Sequence, residues 1–388
     1  MKILTIVDTF PPVFGGVGEY TYFLLKELSF YGHKLSVICE RHETIQSTNW
    51  CEVFPIVDDW KALNQYIGKI KTINPDVVII QYDNFSYHKF GTPFFFNLLI
   101  LRIRPIKVVI FFHEVRSKFK RYGLFRFFNV SLQILNTQLL HTLSGVSITS
   151  IPFYQKLIQK PFLSSKPVKL IRIGSNITLD KTTKDISILA NQLGLTNHFI
   201  VGTFGHKPRN INFIIETLPA LLQQQSNVKL LIIGAFRSDI LNKIKEKIQK
   251  LKLTKHIIFT GYLTKEEVSN YLRLIDIYLM LENVSTDGLW TGTSTRSGSL
   301  AAAMGTGKVI IGTKGEKTDA FFTDKNILLL EELSISNLLN AISFLSKNEV
   351  VRKTMVEESL KSYQQALSWE VIARQYNTIL TDYSINKQ

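Results

Sequence analysis

Short apolar runs alternate with segments of helical periodicity along most of the chain. Runs that are apolar at consecutive positions predict strands buried on both faces, because a strand with one exposed face alternates apolar and polar residues. A first series of such runs covers residues 3–7, 35–39, 77–80, 108–112, 146–149 and 168–173. A second series covers residues 199–203, 228–233, 257–260, 277–281, 308–312 and 327–330.

Strands of this kind, separated by helical segments, predict an α/β chain with two doubly wound, Rossmann-like domains. A polar stretch at 174–185 interrupts the pattern, so we predict one domain over residues 1–178 and a second over 179–365. Only helical patterns follow residue 335, and we expect the last segment, 366–388, to cross back onto the first domain. Ligands bind beyond the carboxyl ends of parallel strands, so we expect two such edges to face each other across a cleft.

The composition is that of a globular protein. The chain has 388 residues, of which 45% are hydrophobic and 20% charged, and this excludes a largely disordered chain. Arginine and lysine residues separate the most apolar stretches, 93–101 and 108–112, so we expect no membrane-spanning helix. The two cysteines, Cys39 and Cys51, are too few for a disulfide framework or a zinc site, and we expect a cytoplasmic protein.

The net charge of +15 predicts an anionic partner. Eight basic residues and one acidic residue lie between positions 100 and 130, and aromatic residues alternate with the charges over 116–128. This pattern favours contact with an anionic membrane surface or an acceptor, through Arg116, Lys118, Lys120 and Arg121. A solvated helix face is the alternative, and we expect no nucleic-acid partner because no recognition motif is present.

A glycine-rich loop follows the first predicted strand. Gly15, Gly16 and Gly18 precede a helical segment, where backbone N–H groups can approach an anion such as a diphosphate. Thr21 stands where a dinucleotide-binding fingerprint needs a third small residue, so a dehydrogenase is the least favoured class. A tight turn that only starts a helix is the alternative.

Several motifs carry a family resemblance when their order and spacing are taken together. They are Pro11-Pro12 with Gly15-Gly16-Val17-Gly18-Glu19-Tyr20, His113 after a strand, Ile232-Ile233-Gly234, Phe259-Thr260-Gly261-Tyr262, the stretch from Ala303 to Ile310, and Ser368-Trp369-Glu370. The chain resembles the large GT-B family of retaining nucleotide-sugar glycosyltransferases, which includes sucrose synthases and bacterial polysaccharide mannosyl- and glucosyltransferases. The resemblance covers nearly the whole chain.

The resemblance implies roles for residues in both predicted domains. It implies that His113 lies beside the donor sugar, and that the donor diphosphate lies near Gly15 and Gly16. It also implies a basic contact to the diphosphate after residue 202, where Thr203 takes the place of the family's arginine. Arg209 matches the family's lysine and Lys207 is the second choice, while a solvated basic loop is the alternative.

A third donor-binding segment surrounds the predicted helix start at Gly298, Ser299 and Leu300, preceded by Arg296. The chain departs from the family here, because Ser294 and Ala302 occupy the two glutamate positions of its E-x7-E motif. The chain therefore resembles a subgroup that lacks these glutamates. Asp287 or Glu282 is the candidate replacement for a lost carboxylate, and an ordinary helix cap is the alternative.

We therefore expect a retaining glycosyltransferase that moves a sugar from a nucleotide-sugar, most readily a UDP-sugar, to a glycan or lipid-linked acceptor. The resemblance implies that the donor's own phosphate assists the reaction, and the chain has no Asp-x-Asp triplet, so we expect neither a metal nor another cofactor. We expect this enzyme to act in polysaccharide or glycoconjugate assembly at the inner face of the cell membrane. A non-catalytic partner subunit and a nucleotide-sugar epimerase are the alternatives.

Overall fold

The structure is a computed structural model that describes residues 1–116, 124–160, 163–179, 186–205, 210–282 and 291–385. The chain divides into two compact units. Unit 1 comprises Met1–Gly174 together with Trp369–Gln388, and unit 2 comprises Ser175–Ser368. No helix among the described residues is long and apolar enough to span a bilayer.

Unit 1 contains a parallel sheet of seven strands in the order β3-β2-β1-β4-β5-β6-β7. The strands are β1 (Lys2–Ile6), β2 (Lys34–Glu40), β3 (Cys51–Val57), β4 (Val77–Asp83), β5 (Lys107–Glu114), β6 (Val146–Thr149) and β7 (Val168–Leu170). The helices between them are α1 (Gly16–Ser29), α2 (Asn64–Ile73), α3 (Asn84–Tyr87), α4 (Phe95–Arg102), α5 (Leu124–Leu143) and α6 (Pro152–Ile158).

Both faces of this sheet are covered by hydrophobic residues. Along β1, Leu4 and Ile6 belong to the core cluster on one face, and Ile3 belongs to the cluster on the other. The unbroken apolar runs are thus explained, because successive side chains of a strand point to opposite faces and both faces are buried.

Unit 2 contains a parallel sheet of six strands in the order β10-β9-β8-β11-β12-β13. The strands are β8 (Phe199–Phe204), β9 (Val228–Ile233), β10 (Ile257–Phe259), β11 (Ile277–Met280), β12 (Val309–Thr313) and β13 (Leu328–Leu330). The helices are α7 (Ser187–Gln192), α8 (Ile211–Gln224), α9 (Ser238–Lys250), α10 (Lys265–Arg273), α11 (Gly298–Gly305), α12 (Ile335–Lys347) and α13 (Glu349–Ala366). The predicted fold class, α/β with two Rossmann-like parallel-sheet domains, is confirmed.

The last helix, α14 (Trp369–Ile385), packs on α1 in unit 1. The Trp369 ring stacks on Phe23 with centroids 5.5 Å apart, and the hydroxyl groups of Tyr20 and Tyr376 are 3.2 Å apart. At the end of the helix, Lys107 Nζ donates to the carbonyl of Tyr383 at 2.8 Å. These contacts bind the end of the chain to the core of its first unit.

The apolar runs did not predict β3, which forms the edge of the first sheet beside β2. Glu52 and Pro55 interrupt its sequence, and its first positions alternate between buried and exposed. Proline is tolerated in an edge strand, where one side has no ladder to complete. The pattern also ended β4 and β5 too early, since they continue to the polar residues Asp83 and Glu114.

Candidate functional site

Two glycines at the carboxyl edge of the unit 2 sheet have backbone conformations that residues with a side chain rarely adopt. β8 and β9 continue into Gly205 and Gly234, whose φ angles are +153° and +127°. A Cβ on Gly234 would come within 2.4 Å of the Gly205 carbonyl oxygen. A Cβ on Gly205 would meet none of the described atoms within 4 Å, so the described residues leave space in front of this turn. A ligand can therefore approach the backbone closely at this edge.

Helix α11 begins at the same sheet edge, after the Ser297 cap. Ser297 accepts a hydrogen bond from the Leu300 amide at 3.2 Å, and its hydroxyl lies 2.9 Å from that of Ser299. The Leu300 amide is thus already engaged, and its side chain is fully buried. Gly298 and Ser299 supply the other first-turn amides, which lack intrahelical acceptors and lie at the positive end of the helix dipole.

Tyr278 of β11 joins this helix start to the end of β8. Its hydroxyl donates to the Phe204 carbonyl at 3.2 Å, and it also hydrogen-bonds the Ser299 side chain. Burial raises the pKa of the Tyr278 phenol to about 12, so it remains a neutral donor. The structure therefore brings Gly298 and Ser299 together with the glycine turn after β8.

The other residues predicted to bind the donor have different positions. Arg296 lies half-buried just before the cap, and Glu282 is buried after β11 with its amide donating to Thr313 Oγ1 at 3.0 Å. Ser294 is half-buried, and Ala302 is fully buried in a hydrophobic cluster of unit 2, where a glutamate would be costly. Lys207, Arg209 and Asp287 lie outside the described residues.

In unit 1 the glycine-rich loop starts α1 against Thr9. A Cβ on Gly15 would lie 2.4 Å from Thr9 Oγ1, and a Cβ on Gly18 would lie 2.5 Å from the Thr9 carbonyl oxygen. A Cβ on Gly16 would meet no atom of the described residues within 4 Å, so their packing leaves an open approach at this glycine alone of the three. Thr21 is fully buried, and its hydroxyl donates to the Val17 carbonyl at 2.8 Å. The helix itself therefore satisfies the buried hydroxyl of this residue.

His113 lies at the carboxyl end of β5, buried at 7% exposure. Its Nε2 donates to Gln81 Oε1 of β4 at 2.8 Å, because a side-chain amide oxygen can only accept. The ring also packs edge-on to Tyr20 of α1 at 5.0 Å and against Phe111 at 4.4 Å. Helix α1 therefore connects His113 with the glycine loop, and neighbouring side chains fix the imidazole in one orientation.

The sequence analysis did not single out an acidic pair at the same edge. Asp8 follows β1 and Glu40 ends β2, and burial raises the pKa of both carboxyl groups above their usual values. The negative charge of Asp8 adds to the shift at Glu40, whose carboxylate accepts a hydrogen bond from Trp60 Nε1 at 2.8 Å. Carboxylates of this kind accept hydrogen bonds from hydroxyl groups, and an acidic residue just after the first strand was the available signal.

Only the beginning of the predicted basic contact segment is described. The Arg116 guanidinium lies 6.0 Å from the centroid of the Phe153 ring. Lys118, Lys120 and Arg121 lie outside the described residues. In the first turns of α5, Phe125, Phe127 and Phe128 are exposed at 71%, 57% and 58%, so this end of the helix presents aromatic rings on its surface.

Comparison with known proteins finds a family match within unit 2. Residues 197–348 match the family described as "Glycosyl transferases group 1". The chain is also 29% identical over 97 residues to alpha-monoglucosyldiacylglycerol synthase of Streptococcus pneumoniae. That alignment covers 25% of this chain and only 22% of the relative.

Solved structures resemble the whole chain in fold. The sucrose-phosphate synthase of Thermosynechococcus elongatus has a TM-score of 0.74 and 17% identity, with 98% of each chain covered. HepE of Anabaena, solved in complex with UDP, has a TM-score of 0.73 and 17% identity, covering 98% of this chain and 100% of its own. The predicted GT-B fold is confirmed. Within unit 2, residues 197–348 are therefore similar to group 1 glycosyl transferases.

Proposed function

We propose that this chain is a retaining, metal-independent glycosyltransferase that moves a sugar from a UDP-sugar to a glycan or lipid-linked acceptor. The observation that carries the proposal is the group 1 domain at residues 197–348, because it contains the edge formed by Gly205, Gly234 and the start of α11. We propose that it acts at the inner face of the cell membrane, in polysaccharide or glycoconjugate assembly.

The donor diphosphate would lie on the first-turn amides of α11, at Gly298 and Ser299, where the helix dipole favours an anion. Arg296, Lys207 and Arg209 would add positive charge, and Asp287 would contact the sugar. HepE supports UDP as the nucleotide, since it was solved with UDP and with UDP-glucose.

Unit 1 would supply the catalytic contact and the acceptor. His113, oriented by Gln81, would contact the donor sugar, and Gly15 and Gly16 would admit an anionic group at the start of α1. Asp8 would accept a hydrogen bond from the acceptor hydroxyl. The sugar–phosphate bond breaks and the bond to the acceptor oxygen forms on the same face, with the leaving phosphate taking the hydroxyl proton. The protein contributes positioning and stabilisation of the leaving diphosphate.

Nucleotide binding tests the donor site most simply. UDP, GDP, ADP and dTDP are compared by thermal shift, where a ligand at 100 times its Kd stabilises the folded state by about 2.7 kcal/mol. We expect UDP to shift the wild type, and Gly298→Asp to weaken UDP binding at least about tenfold by repelling the diphosphate. Asp is favourable in a first helical turn, so the helix itself should persist.

Ile335→Asp is the matched control, because it puts the same charge at the first residue of α12, where Ile335 is 41% exposed. It should leave the UDP shift unchanged. A wild type that no nucleotide shifts contradicts the donor site and favours a non-catalytic partner subunit. Transfer of labelled sugar from UDP-glucose that persists in EDTA, with retained anomeric configuration, would support the chemistry, whereas an epimer formed without acceptor would indicate an epimerase.

A further inference from the structure

Helix α14 covers the part of the unit 1 sheet that carries His113 and its partner Gln81. Gln81 of β4 and Phe111 of β5 are paired in the sheet, so their side chains point to the same face. Helices α1 and α14 pack on this face, where Phe111 and Tyr376 belong to one core cluster. Tyr376 is fully buried, and its ring stacks on Phe111 with centroids 6.2 Å apart. The last helix therefore brings a phenol hydroxyl close to the Gln81 side chain.

Hydrogen-bonding groups follow one another from the imidazole of His113 to this hydroxyl. Gln81 Oε1 accepts from His113 Nε2 at 2.8 Å, so the amide nitrogen of Gln81 points away from the imidazole. The Tyr376 hydroxyl lies 3.2 Å from that of Tyr20. Burial raises the pKa of Tyr376 well above its usual value; Tyr20 raises this pKa further, as an acceptor does, whereas Gln81 lowers it, as a donor does. The Tyr376 proton is thus directed at Tyr20, and the Gln81 amide nitrogen at the Tyr376 oxygen.

The orientation of the Gln81 amide decides which nitrogen of a neutral His113 ring carries the proton. With the amide oxygen on the imidazole, Nε2 carries the proton and Nδ1 is an acceptor; with the amide nitrogen there, the proton would be on Nδ1. Gln81 is fully buried, and its Nε2 has no partner of ordinary hydrogen-bond geometry within the described residues. The interaction with the Tyr376 hydroxyl is therefore what favours one orientation of the amide over the other.

We propose that Tyr376 is a positioning residue that fixes the tautomer of His113 through Gln81. Its hydroxyl donates to Tyr20 and presents its oxygen to the Gln81 amide nitrogen, so the amide oxygen stays on the imidazole. The neutral His113 ring then has Nδ1 as its acceptor at the carboxyl edge of β5. That this tautomer serves sugar transfer rests on the proposed function, whereas the tautomer itself does not depend on it.

The tautomer of His113 can be measured without any substrate. Full-length protein with ¹⁵N-labelled histidine is examined by NMR at about pH 8.5, where a histidine of ordinary pKa is neutral, and His113→Asn identifies the His113 signals. We expect the wild type to carry the proton on Nε2. Tyr376→Phe keeps the ring on Phe111 but removes the hydroxyl, so the ratio of Nε2-protonated to Nδ1-protonated ring should fall about fivefold, the factor that corresponds to one net hydrogen bond.

Tyr383→Phe is the matched control. It removes a phenol hydroxyl from the same helix, where that hydroxyl interacts with the backbone of Val108 near the other end of β5. It should leave the tautomer ratio of His113 unchanged. A wild type protonated on Nδ1, or equal ratios in the Tyr376 and Tyr383 variants, would overturn the proposal.

Kinetics distinguish an action through Gln81 from a general effect on the fold. Tyr376→Phe should lower kcat about twofold with an unchanged donor KM, since about half of the rings then carry the other tautomer. In a Gln81→Met background there is no amide to orient, so the same substitution should lower kcat no further. Additive losses in the double variant would contradict an action through Gln81.

Failure of this inference and failure of the proposed function give different results. If the protein transfers sugar and Tyr376→Phe leaves the tautomer of His113 unchanged, Tyr376 is not a positioning residue and the glycosyltransferase proposal stands. If the tautomer responds to Tyr376→Phe and no nucleotide-sugar is used, the inference about the His113 ring stands and the proposed function is wrong.

Discussion

The two units share one order of parallel strands, with β7 as an addition at the end of the first sheet. Their carboxyl edges nevertheless carry different groups. The edge of unit 1 has ionisable side chains that include half-buried Asp8 and Glu40 and buried His113, together with aromatic rings that pack on His113. In its described part, the edge of unit 2 has glycine turns and the hydroxyl-rich start of α11. The strand order thus decides where ligands bind, and the edge residues decide which ligands they are.

Two charged groups of unit 2 with shifted pKa values, Asp276 and Lys308, are instead at the other edge of its sheet. Asp276 precedes β11 and Lys308 precedes β12. Asp276 accepts a hydrogen bond from the Ile200 amide at 2.7 Å, and Lys308 Nζ donates to the carbonyls of Arg273 and Ile275 at 3.0 and 3.1 Å. These charges join helix and strand ends within the domain, and they are not candidates for donor contact.

The largest expected effect concerns His113. His113→Ala should lower sugar transfer at least about 10²-fold, because an oriented group at the donor sugar is lost, while the UDP thermal shift remains. His33→Ala is the control, since His33 precedes β2 at the opposite edge of the same sheet, where its Nε2 lies 2.8 Å from Asn377 Oδ1. Equal loss of transfer in both variants would remove His113 from the site.

The glycine loop gives the next effect, in stability. Gly18→Ala should lower the free energy of unfolding by about 2 kcal/mol, because its Cβ would clash with the Thr9 carbonyl oxygen. Gly16→Ala adds a Cβ that would meet no atom within 4 Å in the described part of the chain, so stability should be unchanged or slightly higher. Urea unfolding measures both. If Gly16→Ala keeps stability but loses transfer, the open approach at Gly16 is used by a ligand; unchanged transfer would argue that the loop is only a turn.

Acid should destabilise unit 1 through His141, which is fully buried and lies 2.8 Å from Ser147 Oγ. Burial lowers its pKa from 6.5 to about 4, so the unfolded chain takes up a proton first as the pH falls. This loss of stability is absent above pH 6.5 and should reach about 3 kcal/mol near pH 4. Urea unfolding of wild type and His141→Gln should diverge across this range, and parallel curves would contradict the assignment.

Lys308 should act on unit 2 in the alkaline range. Burial lowers its pKa from 10.5 to about 8, so the folded state loses this proton first as the pH rises. Burial of the charge lowers the stability of the folded state below pH 8, and about 3 kcal/mol of this loss should be recovered towards pH 10.5. Lys308→Met should lack this alkaline gain while it keeps the acid response of His141. A gain that survives the substitution would have to come from another group.

The smallest effect is expected at Thr21. Thr21→Ala removes the hydrogen bond to the Val17 carbonyl but leaves the helix backbone intact, so stability should change by less than about 1 kcal/mol. NAD binding should not appear, because the carboxylate at the end of β2, Glu40, already accepts a hydrogen bond from Trp60 Nε1 at 2.8 Å. A thermal-shift measurement with NAD checks this, and a clear increase in Tm would support the dehydrogenase interpretation.

The apolar runs predicted central strands and also the edge strands β7, β10 and β13. The runs at 77–80 and 228–233 lie within β4 and β9, between other strands and covered on both faces. β3 was missed because an edge strand with Pro55 has no such signature. The partnership of His113 with Gln81 was equally unpredictable, since it joins residues 32 positions apart that meet only because β4 and β5 are adjacent. Gly15, Gly16 and Gly298 were identifiable because glycine before a helix is a local signal.

The central claim is that the nucleotide binds at the carboxyl edge of unit 2 and not at the glycine loop of unit 1. Hydrogen exchange of the full-length protein with and without UDP tests this directly. We expect UDP to slow exchange in peptides that contain Gly205 and the start of α11, and to leave peptides around His141 and β7 unchanged. Protection confined to the glycine loop of unit 1, with none at Gly298 and Ser299, would contradict the assignment of the two edges.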